Sequence, residues 1–222
     1  MDYYRFHEER WIYLLDLLGS HLKPSSRVLD IGRSPLTALL YKKYKNLTTL
    51  GFPLENTKLD KIVEISQDIP HIEFDLNNSR YPEKWVKLPK FDAIIFAEVL
   101  EHLYVAPEYV FNFLKSGLRR GGYLVLQTPN ATAIGKRLKM IVGIHPFERI
   151  RKGEDPGHFR EYTKNELLDY SRKTGFEVIM HQYKNYFKLE GPAKALYLIT
   201  SPYPPFRQGQ TLILRKLEDS DD

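Results

Sequence analysis

The chain contains no cysteine. Disulfides, thiolate nucleophiles and cysteine-ligated metals are therefore excluded, and the absence fits a reducing compartment. Long apolar runs are missing too: nothing approaches the roughly 18 residues that a membrane-crossing helix needs. The first ten residues are polar and lack the apolar centre of a secretory signal. A cytoplasmic protein is expected. Repeats, low-complexity tracts and interdomain linkers are likewise absent from the sequence. What remains is 222 residues, 42% of them hydrophobic, enough for one domain spanning 1–222 with a substantial core.

Positive charge is in excess, with a net charge of +5, and it is unevenly placed. Between Lys136 and Lys152 stand six basic residues (Lys136, Arg137, Lys139, Arg149, Arg151, Lys152) and one acid, Glu148. Such a cluster suits an anionic partner such as phosphate, nucleotide or lipid headgroup. It is equally what a solvated helix face looks like.

Apolar spacing (Trp11, Leu14, Leu15, Leu18) predicts a helix over 3–22, broken by Lys23-Pro24-Ser25-Ser26, so that 1–25 form an N-terminal helical segment. Strands are expected at 28–31, 47–52, 72–75, 91–97, 123–127, 176–180 and 210–214. Helices are expected at 35–44, 57–66, 107–118 and 131–142. Another runs from Thr163, a cap with Glu166 as its capping-box partner, to Gly175. Gly121-Gly122 reads as a helix stop, and Gly191-Pro192 as part of an irregular crossover. Strands alternating with helices predict a parallel sheet with right-handed crossovers.

Two strands end in chemistry. Arg27-Val28-Leu29-Asp30-Ile31-Gly32 passes from an apolar strand to an acid and a glycine. Phe91 to Ala97 stops at Glu98-Val99-Leu100-Glu101-His102. A strand apolar on both faces belongs in a covered parallel sheet, and charged residues just beyond it fall at the ligand-binding edge. With Leu118 to Leu126 and Gly175-Phe176, in this order and spacing, these segments resemble class I S-adenosyl-L-methionine (SAM)-dependent methyltransferases of the type 11/23 kind, over residues 27–179. The resemblance implies a doubly wound α/β fold. Its seven-stranded, mostly parallel Rossmann-like sheet would carry the last strand antiparallel, between the fifth and sixth. It also implies SAM as cofactor. Asp30 and Gly32 match the family's first motif, with Arg33 and Ser34 where relatives carry further glycines. Phe52 ends the second strand, where many relatives have an acid for the ribose hydroxyls; Glu55 is the nearest candidate here. Asp75 and Leu76 match the position that meets the adenine amino group, and Glu98 and Val99 close the pocket.

Methyl transfer to a hydroxyl needs an aligned acceptor and a base. His102 and His158 are the candidates. If 157–162 is extended, His158, Arg160 and Tyr162 face one side, a row suited to a sugar or an anionic acceptor. Glu98, Glu101 and His102, at i, i+3 and i+4, could hold a hard divalent ion with His158 as a fourth ligand. Relatives with these letters include metal users and metal-free enzymes, so a metal stays open. Residues 131–162 are expected to form a lid, with Gly143, Gly153 and Gly157 as bending points. Thr128-Pro129-Asn130, the basic helix and the segment from His158 to Thr163 resemble bacterial methyltransferases of glycan and glycolipid pathways. The expected reaction is O-methylation of a sugar, glycolipid or other small hydroxyl compound. RNA 2′-O-methylation is the alternative, from the basic segment and the Glu-x-x-Glu-His cluster. A non-catalytic relative is the third reading, from the altered glycine loop.

Overall fold

Strand β1 (Val28–Ile31) is buried at all of its positions and lies between β2 (Leu47–Gly51) and β4 (Phe91–Ala97), parallel to both. The sheet extends through β3 (His71–Glu73) beside β2 and β5 (Leu118–Pro129) beside β4. Strand β7 (Gly209–Lys216) inserts antiparallel between β5 and β6 (Phe176–Lys184), giving the order β3-β2-β1-β4-β5-β7-β6. This is the seven-stranded Rossmann-like sheet with an antiparallel last strand. The computed structural model describes residues 3–54, 68–147, 149–152, 157–187 and 191–217. The expected helix at 57–66, Glu55 and Gly153 lie outside the described residues.

The period-2 alternation of strand side chains builds two cores. Val28, Leu47, Ile95 and Val125 point to one face. There they meet Trp11, Leu14 and Leu18 of α1 (Tyr3–Gly19) and Leu36 and Leu40 of α2 (Pro35–Lys43). Leu29, Ile94, Phe96, Leu124 and Leu126 point to the other. There they meet Phe111, Phe113 and Leu114 of α3 (Pro107–Gly117) and Leu167 of α5 (Lys164–Lys173). Helices α4 (Ile134–Ile141) and α6 (Gly191–Ile199) lie outside both cores. Ser34 caps α2 with Pro35 in its first turn, and Thr163 caps α5 in a reciprocal box with Glu166.

Three expectations about elements need correction. Gly121 and Gly122 do not stop a helix; they lie inside β5, which starts at Leu118. A Cβ on Gly122 would come within 3.0–3.2 Å of the carbonyl oxygens of Arg119, Asp92 and Phe91, so close backbone approach explains that glycine. Gly191-Pro192 opens α6 rather than breaking the chain, because proline at a first turn loses no hydrogen bond. Strands β6 and β7 also run several residues beyond their apolar centres.

Asp30 is buried at the end of β1 and accepts a hydrogen bond from Thr37 Oγ1 (2.6 Å). Burial lifts its pKa from 3.8 to about 7, against the pull of that bond and of the Arg33 charge. The unfolded chain releases this proton near the ordinary value, while the folded chain holds it until about 7. Stability from this group therefore falls as pH climbs through that interval and levels off above it. Asp30→Asn is expected to flatten this decline in urea unfolding across pH; parallel wild-type and variant curves would rule the effect out. Trp11→Ala is expected to lower stability by about 3–5 kcal/mol, because α1 is part of a core. A loss under about 1 kcal/mol in the same experiment would make α1 peripheral.

Candidate active site

Two cavities open at the carboxyl edge of the sheet, where the strand order reverses at β1 and β4. The smaller, about 160 Å³, is mostly apolar. Its walls include Gly32, Leu50, Phe52, Phe74, Leu76 and Val99, with Asp75 among them. Gly32 has φ +78°, a conformation glycine adopts without strain, and an added Cβ would meet only Val99, at 3.8 Å. Asp75 caps the following turn, accepting from the Asn77 backbone N–H (2.9 Å) and Nδ2 (3.0 Å).

The residues that follow Gly32 are used in the scaffold. Arg33 Nε donates to Thr49 Oγ1 (3.2 Å), and its Nη2 donates to the Ile69 carbonyl (2.7 Å). Thr49 Oγ1 lies 2.8 Å from His71 Nδ1, and His71 Nε2 lies 3.0 Å from the Phe52 carbonyl. A carbonyl only accepts, so Nε2 carries the proton and Nδ1 receives the threonine hydroxyl. Burial is the main cause that lowers the His71 pKa and keeps the ring neutral. Ser34 serves as the α2 cap and does not line either cavity, and Asp30 stands behind the loop with Thr37.

The larger cavity, about 540 Å³, is the more polar of the two. Glu98, Glu101 and His102 come from the end of β4, Phe6, His7 and Arg10 from α1, and Lys136 and Lys139 from α4. His158 and Glu161 come from the segment before α5. Glu98 has φ 55°, unusual for a residue with a side chain. Its backbone N–H donates to the Gln127 carbonyl (2.7 Å), and its carboxylate lies 3.3 Å from the Arg10 guanidinium. Glu98 lines the larger cavity and Val99 the smaller, so one peptide step separates the two.

Glu101 is fully buried. One carboxylate oxygen accepts from Thr128 Oγ1 (2.9 Å), and the other has no hydrogen-bond partner among the described residues. Burial pushes its pKa up. Its main-chain carbonyl accepts from the backbone N–H groups of Phe159 (2.8 Å) and Arg160 (3.3 Å), pinning the later segment to the β4 turn. His102 Nδ1 donates to the Gly157 carbonyl (3.0 Å), which leaves Nε2 as the basic nitrogen. His158 Nδ1 lies 3.2 Å from Glu161 Oε1, and Lys136 pairs with the other oxygen of Glu161. Burial draws the Lys136 pKa down to about 8 and, with the Arg10 charge second, the His7 pKa to about 4. The rings of His102 and His158 meet edge to face, 4.8 Å between centroids.

The residues proposed for one row do not share a face. Arg160 pairs with Glu166 and lies over the Tyr162 ring, 5.5 Å from its centroid. Both line a separate cleft with Tyr104, Phe159 and Tyr170. The segment is not a strand: only Tyr162 bridges to Asn130, so side chains 158, 160 and 162 need not align. Glu98 is also outside the metal-type grouping, because its positive φ precedes the helical turn and turns its carboxylate to Arg10. Glu101, His102 and His158 are the residues that come together, with ligand atoms within 4.8 Å of one another. Sequence reasoning missed Arg10, His7, Lys136 and Glu161 as site residues. Glu161 left a local signal, three residues after His158, and Lys136 left one as a member of the basic cluster.

A family model described as a methyltransferase domain matches residues 1–181. No curated protein matches significantly. Among solved structures, a SAM-dependent methyltransferase from Archaeoglobus fulgidus is similar at 16% identity and TM-score 0.61, over 95% of this chain and 94% of that one. The N-methyltransferase NodS from Bradyrhizobium japonicum is similar at 17% identity and TM-score 0.58, over 98% and 100%. A putative methyltransferase of Haloferax volcanii, solved with the Trm112 methyltransferase activator, is similar at 11% identity and TM-score 0.65, over 97% and 92%. These likenesses are of fold, whereas the family match spans both strand-end motifs and the segment holding His158. The chain thus belongs to the methyltransferase-domain family, as a class I SAM-dependent methyltransferase with S-adenosyl-L-methionine as its cofactor.

Proposed function

We propose that the protein methylates a hydroxyl group of a small acceptor, a sugar, glycolipid or related compound, with His158 as general base. The observation that carries this reading is the His158–Glu161 pair opening on a polar cavity one residue from the apolar slot. The slot suits an adenosine: flat apolar walls, Asp75 for the amino group, and Gly32 for close backbone passage. Phe52, Leu76 and Val99 would flank the ring, and Arg33 would border it through its backbone. Glu98 and Arg10 would face the amino-acid end. Residues 131–162 would close over the acceptor, since Lys136, Lys139, Pro146, His158 and Glu161 all line the larger cavity.

The cofactor supplies a methyl group on a positively charged sulfur, already a good leaving group. The protein must therefore align the acceptor oxygen and take its proton. Glu161 accepts the Nδ1–H of His158, so the ring's lone pair is on Nε2, the atom that would take that proton. The bound cofactor would supply the methyl to that oxygen and keep the carbon–sulfur electron pair on its sulfur. The hydroxyl proton passes to His158, and Glu161 stabilises the imidazolium. Arg10, Lys136 and Lys139 make the cavity hospitable to an acceptor carrying phosphate or carboxylate.

A divalent ion is the second reading, because Glu101, His102 and His158 converge and Glu101 keeps a buried oxygen without a hydrogen bond. Against it, burial favours a proton on Glu101, and Lys136 already places a positive charge beside Glu161.

His158→Ala is expected to lower turnover by roughly 10²–10⁴ while S-adenosylhomocysteine affinity, read by calorimetry, stays the same. Loss of both would make His158 structural, and loss of neither would mean that the base is His102 or absent. The acceptor itself is found by following S-adenosylhomocysteine release over sugar nucleotides, glycolipids and structured RNA. Turnover on RNA alone would replace this reading. Dialysis against EDTA is expected to leave turnover unchanged. Loss that magnesium or manganese restores would assign the histidine cluster to a metal.

A further inference from the structure

Helix α4 is amphipathic in the reverse sense. At about 100° per residue, Ile134, Leu138, Ile141 and Val142 share one side, and Lys136, Arg137 and Lys139 the other. A surface helix normally turns its apolar side to the core. Here no residue of α4 is buried, and Lys136 and Lys139 line the larger cavity. Leu138, Ile141 and Val142 are 42%, 78% and 68% exposed, and Ile144, just past the helix, is 56% exposed. The Tyr197 hydroxyl of α6 sits against Gly135, where an added Cβ would lie 3.4 Å from it, which sets α6 beside α4. The next two residues, Leu198 and Ile199, are 62% and 79% exposed. Gly135 and Tyr197 both line the larger cavity, so this apolar surface borders its mouth. Single exposed apolar residues are ordinary, but a continuous run at a cavity mouth marks an interaction surface.

Charge narrows the partner. Arg149, Arg151 and Lys152 follow the apolar run and are exposed, and Arg137 and Lys139 flank it. Apolar side chains ringed by cations match an anionic lipid surface, whose acyl boundary takes the former and whose phosphates take the latter. RNA would engage the cations and leave Ile141 and Val142 in water. A second copy docked on the same patch would set these cations against their own equivalents. Among the described residues no helix is long and apolar enough to cross a membrane, so the contact is interfacial.

We propose that α4, residues 142–147 and 149–152, and the end of α6 dock the protein on an anionic lipid surface. The mouth of the larger cavity then faces that surface, and the acceptor is presented from it. The last clause rests on the methyl-transfer reading above; the docking does not. The test is co-sedimentation with phosphatidylcholine vesicles, with and without phosphatidylglycerol, alongside S-adenosylhomocysteine titration of each protein. Pelleting is expected only with phosphatidylglycerol and should fall with added salt. Ile141→Ser with Val142→Ser should weaken it at least ~10-fold, and Arg149→Gln with Lys152→Gln should remove the preference for anionic lipid. Cofactor-product affinity should be unchanged in both, because these side chains are exposed. Three results would each overturn the proposal: no pelleting with anionic vesicles, pelleting unaffected by the serine pair, or a dimer that the serine pair dissociates. Failure of wild-type protein to bind S-adenosylhomocysteine would count against the cofactor reading alone.

Discussion

The chain's exit from β4 is the constraint on which the site depends. At Glu98 the backbone enters the left-handed region, a conformation that costs on the order of 1 kcal/mol for a residue with a Cβ. The neighbours over-determine it: Gln127 of β5 accepts the Glu98 N–H, and Arg10 of α1 faces its carboxylate. The bend sends Val99 into the apolar slot and leaves Glu98, Glu101 and His102 on the polar side. With ordinary helical dihedrals there, the two cavities would not be divided at this peptide. Helix α1 is thereby tied to the chemistry as well as to a core.

The polar cavity gathers three acids, three histidines and three cations in a partly buried space. Such a set is stable only if charges are paired or neutralised. Both devices are present. Pairing joins Arg10 to Glu98 and Lys136 to Glu161. Burial holds His7 neutral and raises Glu101 toward its protonated form. The His158–Glu161 bond is thus one link in a larger balance, and altering any member shifts the charge state of the others.

Much of this was legible in the sequence, for local reasons. Period-2 strands, the helix starting at Pro35, the Thr163 cap and the Asp30-to-Gly32 turn are set by a few adjacent residues. The antiparallel place of β7 came from resemblance, because side-chain alternation is the same in either direction of pairing. Helix α6 was hidden because Gly191-Pro192 serves equally as a break and as a helix start. Arg10, His7 and Lys136 join the site through contacts far apart in sequence, which no local spacing encodes. The row of His158, Arg160 and Tyr162 failed because Glu101 captures the backbone at 159 and 160, removing the extended geometry assumed.

The hydrogen-bond chain from Arg33 through Thr49 and His71 to Phe52 runs in one direction only. Guanidinium gives to hydroxyl, hydroxyl gives to imidazole, imidazole gives to carbonyl. Each group's orientation is dictated by the one before it, as in a train of gears. An arginine next to Gly32 thus sets the opposite rim of the slot, across two strands. The loop and the rim become a single mechanical part, and a proton added to His71 would reverse the contact at Thr49, turning its hydroxyl toward the Pro70 carbonyl, 3.4 Å away.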